Sequence, residues 1–349
     1  MADQPGMITE RPLPEISPLT EPFWSAAKAR RLVLQRCESC AAYRFPPEVG
    51  CFACGSPKAA WSDVSGRASV AVGFRARNRG SGTRPWAKAG ARVGGTAAFE
   101  LPYGLVGPVQ QLAVLTRRYM HDYGATSEQF ARVSVAQRAN ASRNPRAFFR
   151  DPITVEDVLA SRLIADPLHL LDCSLETDGA CAVVVTGADR ARDLKQTPAY
   201  VAGASQGMGP HHIMMSGLLY KDDPFDLPAI YAARDVYAEA GMGPKDVDVA
   251  LLYDVFSPMV LWQLEAYGFC KRGEAGAFVE EGRIDWPDGE LPVNTHGGSL
   301  SEAYVHGFNH VLEAVRQLRG TSTCQVAGAS VALVAAAAVV PTSALLLRN

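Results

Sequence analysis

The stretch LPVNTHGGSLSEAYVHGFNHVLEAVRQLRG, Leu291 to Gly320, opens on an apolar strand signal, crosses a polar loop with a glycine pair, and ends in apolar positions at helical spacing. The same design stands just upstream in PKDVDVALLYDVFSPMVLWQLEAYGF, Pro244 to Phe269. Before it, AYVAGASQGM (Ala199 to Met208) has the composition of a strand, and LPAIYAARDVYAEAGM (Leu227 to Met242) that of an amphipathic helix ending at Gly241. After it, CQVAGASVALVAAAAVV and SALLL close the chain as strands. Strands alternating with helices predict an α/β layered domain over the last part of the chain.

The chain has 349 residues, 48% of them hydrophobic, which is enough for a well-buried core and two or more domains. A formal net charge of -2 and the lack of a long basic run argue against nucleic-acid binding. The opening MADQPGMITERPLPEISP is polar and Pro-rich, so it is expected to be a loose arm rather than a signal peptide. The apolar run VALVAAAAVVPTSALLL, Val331 to Leu347, is short for a membrane span and is broken at Pro341. Two buried strands joined by a turn account for it better, and the expected compartment is the cytoplasm.

Eight cysteines divide into two CxxC pairs, Cys37 with Cys40 and Cys51 with Cys54, and four scattered single residues. Two CxxC turns at hairpin distance bring four thiolates to one point, the ligand set that suits zinc in a closed, structural site. A rubredoxin-type iron site or a redox pair uses the same residues, although a redox pair does not need the second CxxC. From Ala68 to Thr197 the pattern is mixed. It holds a short apolar run, SVAVGF, and a Gly- and Pro-rich excursion. Helices follow at PVQQLAVLTRRYMHDYG and at TSEQFARVSVAQRANASRN, the second opened by a capping signal at Thr126 or Ser127, then a short capped helix at TVEDVLAS and a buried strand at ACAVVVTGA.

Two resemblances carry the functional reading. The segment from about residue 20 to 68, with its helix, its CESC and CFAC pairs and Trp61, Val64, Ser65 and Gly66, resembles the acyl-CoA-associated zinc-ribbon/OB-fold proteins, partners of enzymes that act on CoA thioesters. Ala68 stands where that family usually has glycine, and the residues after Gly66 do not have the pattern of a five-stranded barrel. From about Ser69 to Asn349 the chain resembles the lipid-transfer-protein, or sterol-carrier-like, branch of the thiolase superfamily. The matching residues are FRARNRGSGTR, FELPYGLVGP, ADPLHLLDCS, YDVFSP, GFCKRGEAGAFVEEG, LPVNTHGGSLSEAYVHG and TCQVAGAS. The resemblance is closest to aldolases that shorten steroid side chains by retro-aldol cleavage of a β-hydroxyacyl-CoA to a ketone and propionyl-CoA, and that work with a zinc-ribbon/OB-fold partner.

The fold implied is a thiolase-like layered α-β-α-β-α arrangement with an incomplete N-terminal half-domain, preceded by a small rubredoxin-like zinc ribbon. The expected division is an arm over 1–20, helix and ribbon over 21–67, a remnant of the thiolase N-terminal domain with loop domain over 68–196, and the C-terminal domain over 197–349. The segment that carries the thiolase nucleophile is expected to be absent, since the match enters the fold at SVAVGF. A retro-aldol reaction forms no acyl-enzyme and tolerates that loss better than acyl transfer does.

In thiolases the loop after the third strand of the C-terminal domain carries a histidine. The resemblance puts Tyr304 at that position, behind the pair Gly297-Gly298, and Tyr253 at a second histidine position. It implies that Tyr304 and Tyr253 handle protons and contact hydroxyl or thioester. Cys324 falls where thiolases have an acid/base cysteine, and Asn294, His296, Gly297 and Gly298 shape the loop. Tyrosines at strand ends are also ordinary packed residues, and Cys324 is by default an inert buried thiol. His306 and His310 stand one helical turn apart and offer a metal pair or a solvated helix face. Asp254 and Glu302 support the loop or are solvated. Arg75 and Arg84, with Arg77 and Lys88, are candidates for CoA phosphates. The expected cofactor is structural zinc, with CoA as part of the substrate. The expected assembly is a homodimer or a complex with a thiolase-like or OB-fold chain. Two other functions fit the same residues: an inactive fusion remnant that binds a partner, and an acetyl-CoA acyltransferase, which the replacement at Tyr304 disfavours.

Overall fold

The computed structural model describes residues 16–29, 31–44, 47–51, 53–64, 68–75, 100–174, 176–209 and 215–349. The chain divides into two compact units, Met1–Val70 with Val184–Gly187, and Ala71–Val183 with Ala188–Asn349.

In the first unit, helix α1 (Glu21–Lys28) precedes strand β1 (Leu32–Cys37). This strand pairs antiparallel with β2 (Tyr43–Arg44) on one side and β3 (Ala59–Val64) on the other. Two loops of identical hydrogen bonding hang from this sheet. In the first, the Cys37 N–H donates to Ala42 O at 2.8 Å and the Ala41 N–H to Cys37 O at 2.9 Å. In the second, the Cys51 N–H donates to Ser56 O at 2.9 Å and the Gly55 N–H to Cys51 O at 2.7 Å. The residue after each second cysteine is left-handed, Ala41 at φ 61° and Gly55 at φ 71°. Between them lies the buried Arg44 guanidinium, which donates to Glu48 O at 3.0 Å and Lys58 O at 2.9 Å and so ties the second loop to β2.

Strand β4 (Ala68–Arg75) pairs with β7 (Gly179–Thr186) as a two-stranded sheet. Between them in sequence come α2 (Pro108–Tyr123), α3 (Ser127–Arg143), α4 (Val155–Ala160) and the short pair β5 (Leu163–Ala165) and β6 (Leu168–His169). The capping signal read at Thr126 is a capping box: the Gln129 N–H donates to Thr126 Oγ1 at 3.4 Å, and the Thr126 N–H to Gln129 Oε1 at 3.2 Å. A second box, Thr154 with Asp157, starts α4. Helix α3 is buried on nearly all sides, polar Gln137 and Asn140 included.

The main sheet has the strand order β8-β11-β10-β9, built from β8 (Tyr200–Gly207), β9 (Val249–Leu252), β10 (Val331–Ala335) and β11 (Thr342–Arg348). β9 and β10 are parallel, and the other pairings are antiparallel. The run Val331 to Leu347 is thus two sheet strands, and among the described residues no helix is long and apolar enough to cross a membrane. Alternation decides the faces. Ala250, Leu252, Leu333 and Ala335 join the large core with Ala229, Ala232 and Val236 of helix α5 (Pro228–Ala240). Val249, Leu251, Ala332 and Val334 join a smaller core with Ala314 and Leu318 of helix α9 (Phe308–Leu318). Helices α6 (Pro258–Ala266), α7 (Ala275–Glu280) and α8 (Gly298–Ser301) complete the element order before α9.

Three features differ from the sequence expectation. The strand expected to be buried at Ala180 to Ala188 is β7, and its Val184 and Val185 are exposed. The apolar segment before the glycine loop contributes one bridge, Val293 to Ala250, rather than a strand. The following helix starts only at Phe308, because His306 and Gly307 are left-handed at φ 51° and 76°. The helix α5 lies directly on β8. A Cβ on Gly207 would come within 2.3 Å of Pro228 O and one on Gly203 within 2.6 Å of Val236 O. Neither clash is with the flexible end of a side chain. Gly207→Ala is therefore expected to lower the unfolding free energy by about 1–3 kcal/mol or more, measured by denaturant melting of the second unit.

Candidate active site and metal centre

The site begins where β9 ends. Leu252 is the last strand residue, and the ladder would leave its backbone groups short of partners at the edge. Asn294 supplies them: its Oδ1 accepts from the Leu252 N–H at 2.8 Å and its Nδ2 donates to Leu252 O at 2.8 Å. Asn294 is itself held at φ 48° and is fully buried. Its own N–H donates to Ala250 O at 3.0 Å, and Asn140 of α3 donates to the Val293 and Asn294 carbonyls at 3.3 and 3.4 Å.

The next residue is Tyr253. Its backbone N–H donates to Gln263 Oε1 at 3.1 Å, and its carbonyl accepts from Gln263 Nε2 at 2.6 Å. Asp254 follows, fully buried, accepting from the Ser299 and Leu300 N–H groups at 2.8 and 3.0 Å. Burial pushes its carboxyl up, but the hydrogen bond and charge of His310, with those two N–H groups, outweigh it and hold the group below its ordinary value. His310 Nε2 lies 3.2 Å from Asp254 Oδ1 and 3.0 Å from Leu252 O. Asp254 can reach α8 only because Gly298 has no side chain: a Cβ there would stand 2.1 Å from Asp254 Oδ2. Gly297, at φ 105°, lies against Ala141 of α3, where a Cβ would come within 2.6 Å of the alanine methyl.

Beyond α8 the loop carries Glu302 and Tyr304. Glu302 is buried and accepts from Asn144 at 3.0 Å and Asn309 at 2.9 Å. Tyr304 is 8% exposed, and its backbone is held on both sides by one hydroxyl. Its N–H donates to Thr177 Oγ1 at 2.9 Å, and Thr177 Oγ1 donates to its carbonyl at 3.2 Å. The outcome is that Tyr253 Oη and Tyr304 Oη lie 2.6 Å apart, with ring centroids at 6.1 Å and an interplanar angle of 45°. The exposed His306 ring stacks on Tyr304 at 5.0 Å.

The remaining candidates fall elsewhere. Cys324 is fully exposure-free; its Sγ donates to Asn140 O at 3.6 Å, and burial followed by the charge of Glu313 pushes its thiol up to about 11. His296 is sealed inside the loop rather than lining a pocket. Neither ring nitrogen has a hydrogen-bond partner among the described residues, and Glu302 Oε2 stands 3.6 Å from Nε2. Burial, with the positive charge of His310, lowers its pKa to about 3, so the contact with Glu302 is not an ion pair. His306 and His310 do not form a metal pair, one being exposed and the other buried on Asp254. Asp254 and Glu302 support the loop and are not solvated. Arg77, Arg84 and Lys88, and the side chain of Arg75, lie outside the described residues. Gln263 and Thr177 were not among the expected site residues. Gln263 leaves a trace in sequence, a lone amide inside the apolar run PMVLWQL, whereas Thr177 leaves none.

The metal site is in the ribbon. Cys37, Cys40, Cys51 and Cys54 offer sulfurs all within 4.8 Å of one another, the only such group of three or more His, Cys, Asp or Glu ligands among the described residues. Cys37 Sγ to Cys54 Sγ is 3.6 Å, and Cys40 Sγ to Cys51 Sγ 3.5 Å. A tetrahedron with Zn–S bonds of about 2.3 Å has edges of about 3.8 Å, so the cage fits zinc. The Cys40 N–H holds the Cys37 thiol down at about 6, and the Ala53 N–H likewise lowers Cys51. Four protein sulfurs leave no open position, so zinc here holds the ribbon together and meets no substrate.

Purified chain is expected to carry a single zinc by elemental analysis, and Cys37→Ser to lose it together with cooperative melting of the ribbon. A visible iron–thiolate absorption in place of zinc would contradict this. His296 gives a second expectation. The unfolded chain takes up a proton near pH 6.5 that native His296 refuses until about pH 3. Stability from this group is therefore complete above pH 6.5 and is lost as pH falls toward 3. Between pH 7 and 5 the loss is about 2 kcal/mol. His296→Gln should flatten that part of the stability–pH curve in denaturant titrations, and an unchanged slope would refute the assignment.

The family model described as thiolase C-terminal domain-like matches residues 214–347, and that of the ChsH2 rubredoxin-like zinc ribbon domain matches residues 24–58. The 17-hydroxy-3-oxo-4-pregnene-20-carboxyl-CoA lyase of Mycobacterium tuberculosis is 48% identical over 298 residues, 83% of this chain and 76% of the relative. The steroid side-chain-cleaving aldolase of Thermomonospora curvata is 47% identical over 304 residues, 84% of this chain and 77% of the relative. Among solved structures, the Ltp2-ChsH2(DUF35) aldolase matches with a TM-score of 0.73 at 47% identity, covering 80% of this chain and 72% of that one. A monomeric SCP2-thiolase like protein type 1 from Mycobacterium smegmatis, at 17% identity and a TM-score of 0.57, covers 81% of this chain and 56% of its own, and shows the fold alone. The chain belongs to the thiolase-like family of steroid side-chain-cleaving aldolases and carries, ahead of that fold, a ChsH2-type zinc ribbon.

Proposed function

We propose that the chain cleaves a steroid side-chain β-hydroxyacyl-CoA by retro-aldol reaction, giving a ketone and propionyl-CoA. The observation that carries this is the pair of phenol oxygens, Tyr253 Oη and Tyr304 Oη, at 2.6 Å. Each phenol carries one O–H and two lone pairs, and one of the two hydrogens lies between the oxygens. The pair acts as a relay: one phenol oxygen takes the proton of the substrate's β-hydroxyl as the pair gives up one of its own hydroxyl protons toward Cα. The Cα–Cβ bond then breaks, the β-carbon becomes a ketone carbon, and the bonding electrons go to the thioester as an enolate. Return of a proton to Cα gives the propionyl thioester, so the pair ends as it began. Nothing in this sequence of steps needs an acyl-cysteine.

The substrate class rests on the relatives. The name of the mycobacterial lyase puts a hydroxyl on carbon 17 and the carboxyl-CoA on carbon 20, which is the β relation a retro-aldol cleavage requires. Cys324 is the expected acid for the enolate, but its hydrogen is directed at Asn140 O and its thiol is sealed. We therefore assign proton return to the tyrosines. We also infer that the chain works in an assembly with another thiolase-like or OB-fold chain, in keeping with the Ltp2-ChsH2(DUF35) aldolase.

The test is an assay of zinc-loaded chain with a 17-hydroxy steroid 20-carboxyl-CoA, following propionyl-CoA and the 17-ketone. Tyr304→Phe and Tyr253→Phe are each expected to lower kcat by about 10²-fold or more. A monodisperse wild-type preparation without turnover would overturn the reading in favour of an inactive partner-binding chain.

A further inference from the structure

The tyrosine pair lies where regular secondary structure runs out. Tyr253 is one residue past β9, and Tyr304 stands between α8 and the left-handed pair His306-Gly307. Tyr304 has no strand ladder beside it, and Tyr253 keeps a single ladder bond, its N–H to Ala335 O of β10 at 3.2 Å. In both cases a single side chain bonds both the N–H and the carbonyl of the tyrosine. Thr177 has one hydroxyl hydrogen and two lone pairs. It accepts from the Tyr304 N–H at 2.9 Å and donates to the Tyr304 carbonyl at 3.2 Å. The Gln263 amide offers the matching donor and acceptor. It accepts from the Tyr253 N–H at 3.1 Å and donates to the Tyr253 carbonyl at 2.6 Å, while its Nε2 is braced on Met259 O at 2.8 Å. Gln263 is fully buried and Thr177 is 8% exposed, so water does not compete for these bonds.

We infer that Thr177 and Gln263 are positioning residues for the reaction, each setting one phenol by clamping both backbone groups of its tyrosine. The inference rests on the proposed role of the tyrosine pair and adds what fixes its geometry. The 2.6 Å separation of the phenol oxygens is short, and it is produced by two segments 51 residues apart in sequence. A rotation of either backbone by a few degrees is carried outward through the whole length of a tyrosine side chain to its oxygen. A misplacement of about 1 Å in reacting groups is enough to cost about 10²-fold in rate. Neither Thr177 nor Gln263 is placed in contact with substrate, so their effect falls on the rate of the chemical step and not on substrate affinity.

Thr177→Val keeps the shape of the side chain and removes the hydroxyl; Thr177→Ser restores it. Gln263→Glu keeps the acceptor for the Tyr253 N–H and removes the donor to its carbonyl. In the full zinc-loaded chain, Thr177→Val and Gln263→Glu are expected to lower kcat by about 10- to 100-fold with KM changed by less than about threefold. Thr177→Ser is expected to stay within about threefold of wild type. Amide hydrogen exchange at Tyr304 should quicken in Thr177→Val and not in Thr177→Ser, a readout independent of turnover. Folded protein with wild-type kcat in Thr177→Val overturns the inference, as does a Thr177→Ser chain as slow as Thr177→Val. Should Thr177→Val fail to fold, Gln263→Glu decides in the same way. Tyr304→Phe separates the two levels. If it retains activity, the proposed function itself fails. If it is inactive while Thr177→Val is not, only the positioning role fails. A wild-type chain without turnover overturns both.

Discussion

The second unit depends on how the backbone is satisfied where strand β9 stops. A buried N–H or carbonyl without a partner is costly, and a loop cannot provide a ladder. At Leu252 the partner is the Asn294 amide, at Tyr253 the Gln263 amide beside one ladder bond to Ala335 O, and at Asp254 the direction reverses, with the carboxylate receiving two N–H groups of α8. Three consecutive residues are thus tied to three different segments. The glycine pair at 297 and 298, the buried His310 and the polar face of α3 follow from this arrangement, because each either makes room for one of these bonds or completes one. The phenol pair is held at the end of that framework.

This also explains what could be anticipated from the amino-acid sequence. The alternation of strands and helices after Thr197 was legible because β9, β10 and β11 alternate apolar residues between two helix layers. The ribbon was legible because the two CxxC pairs share one local geometry. Tyr253 and Tyr304 could be named only by resemblance. Nothing in their neighbours distinguishes a packed tyrosine from one whose hydroxyl meets another, since the meeting is set by contacts between distant segments. Thr177, which lies 127 residues from Tyr304, is the extreme case. The histidines misled for the opposite reason. Their density suggested a polar, solvent-facing loop, but a buried network of Asn144, Glu302, Asn309 and Glu313 takes the surrounding polar groups inside.

The ribbon and the aldolase-like unit meet their polar demands in different ways. In the second unit long-range side-chain amides complete the backbone. In the ribbon each loop is complete within six residues, from the first cysteine to the carbonyl that receives its N–H. Ala41 occupies a left-handed position in the first loop that Gly55 holds in the second, which shows that the loop geometry prevails over the preference of the residue.

The direct seating of α5 on β8 has a mechanical consequence. With Gly203 and Gly207 under the helix, backbone touches backbone, and no side chain lies between them to change rotamer and absorb a displacement. Helix and strand must move together or not at all, and β8 is bonded in turn to β11 and the rest of the sheet. On this border of the sheet an added methyl has to displace a whole helix rather than a side chain.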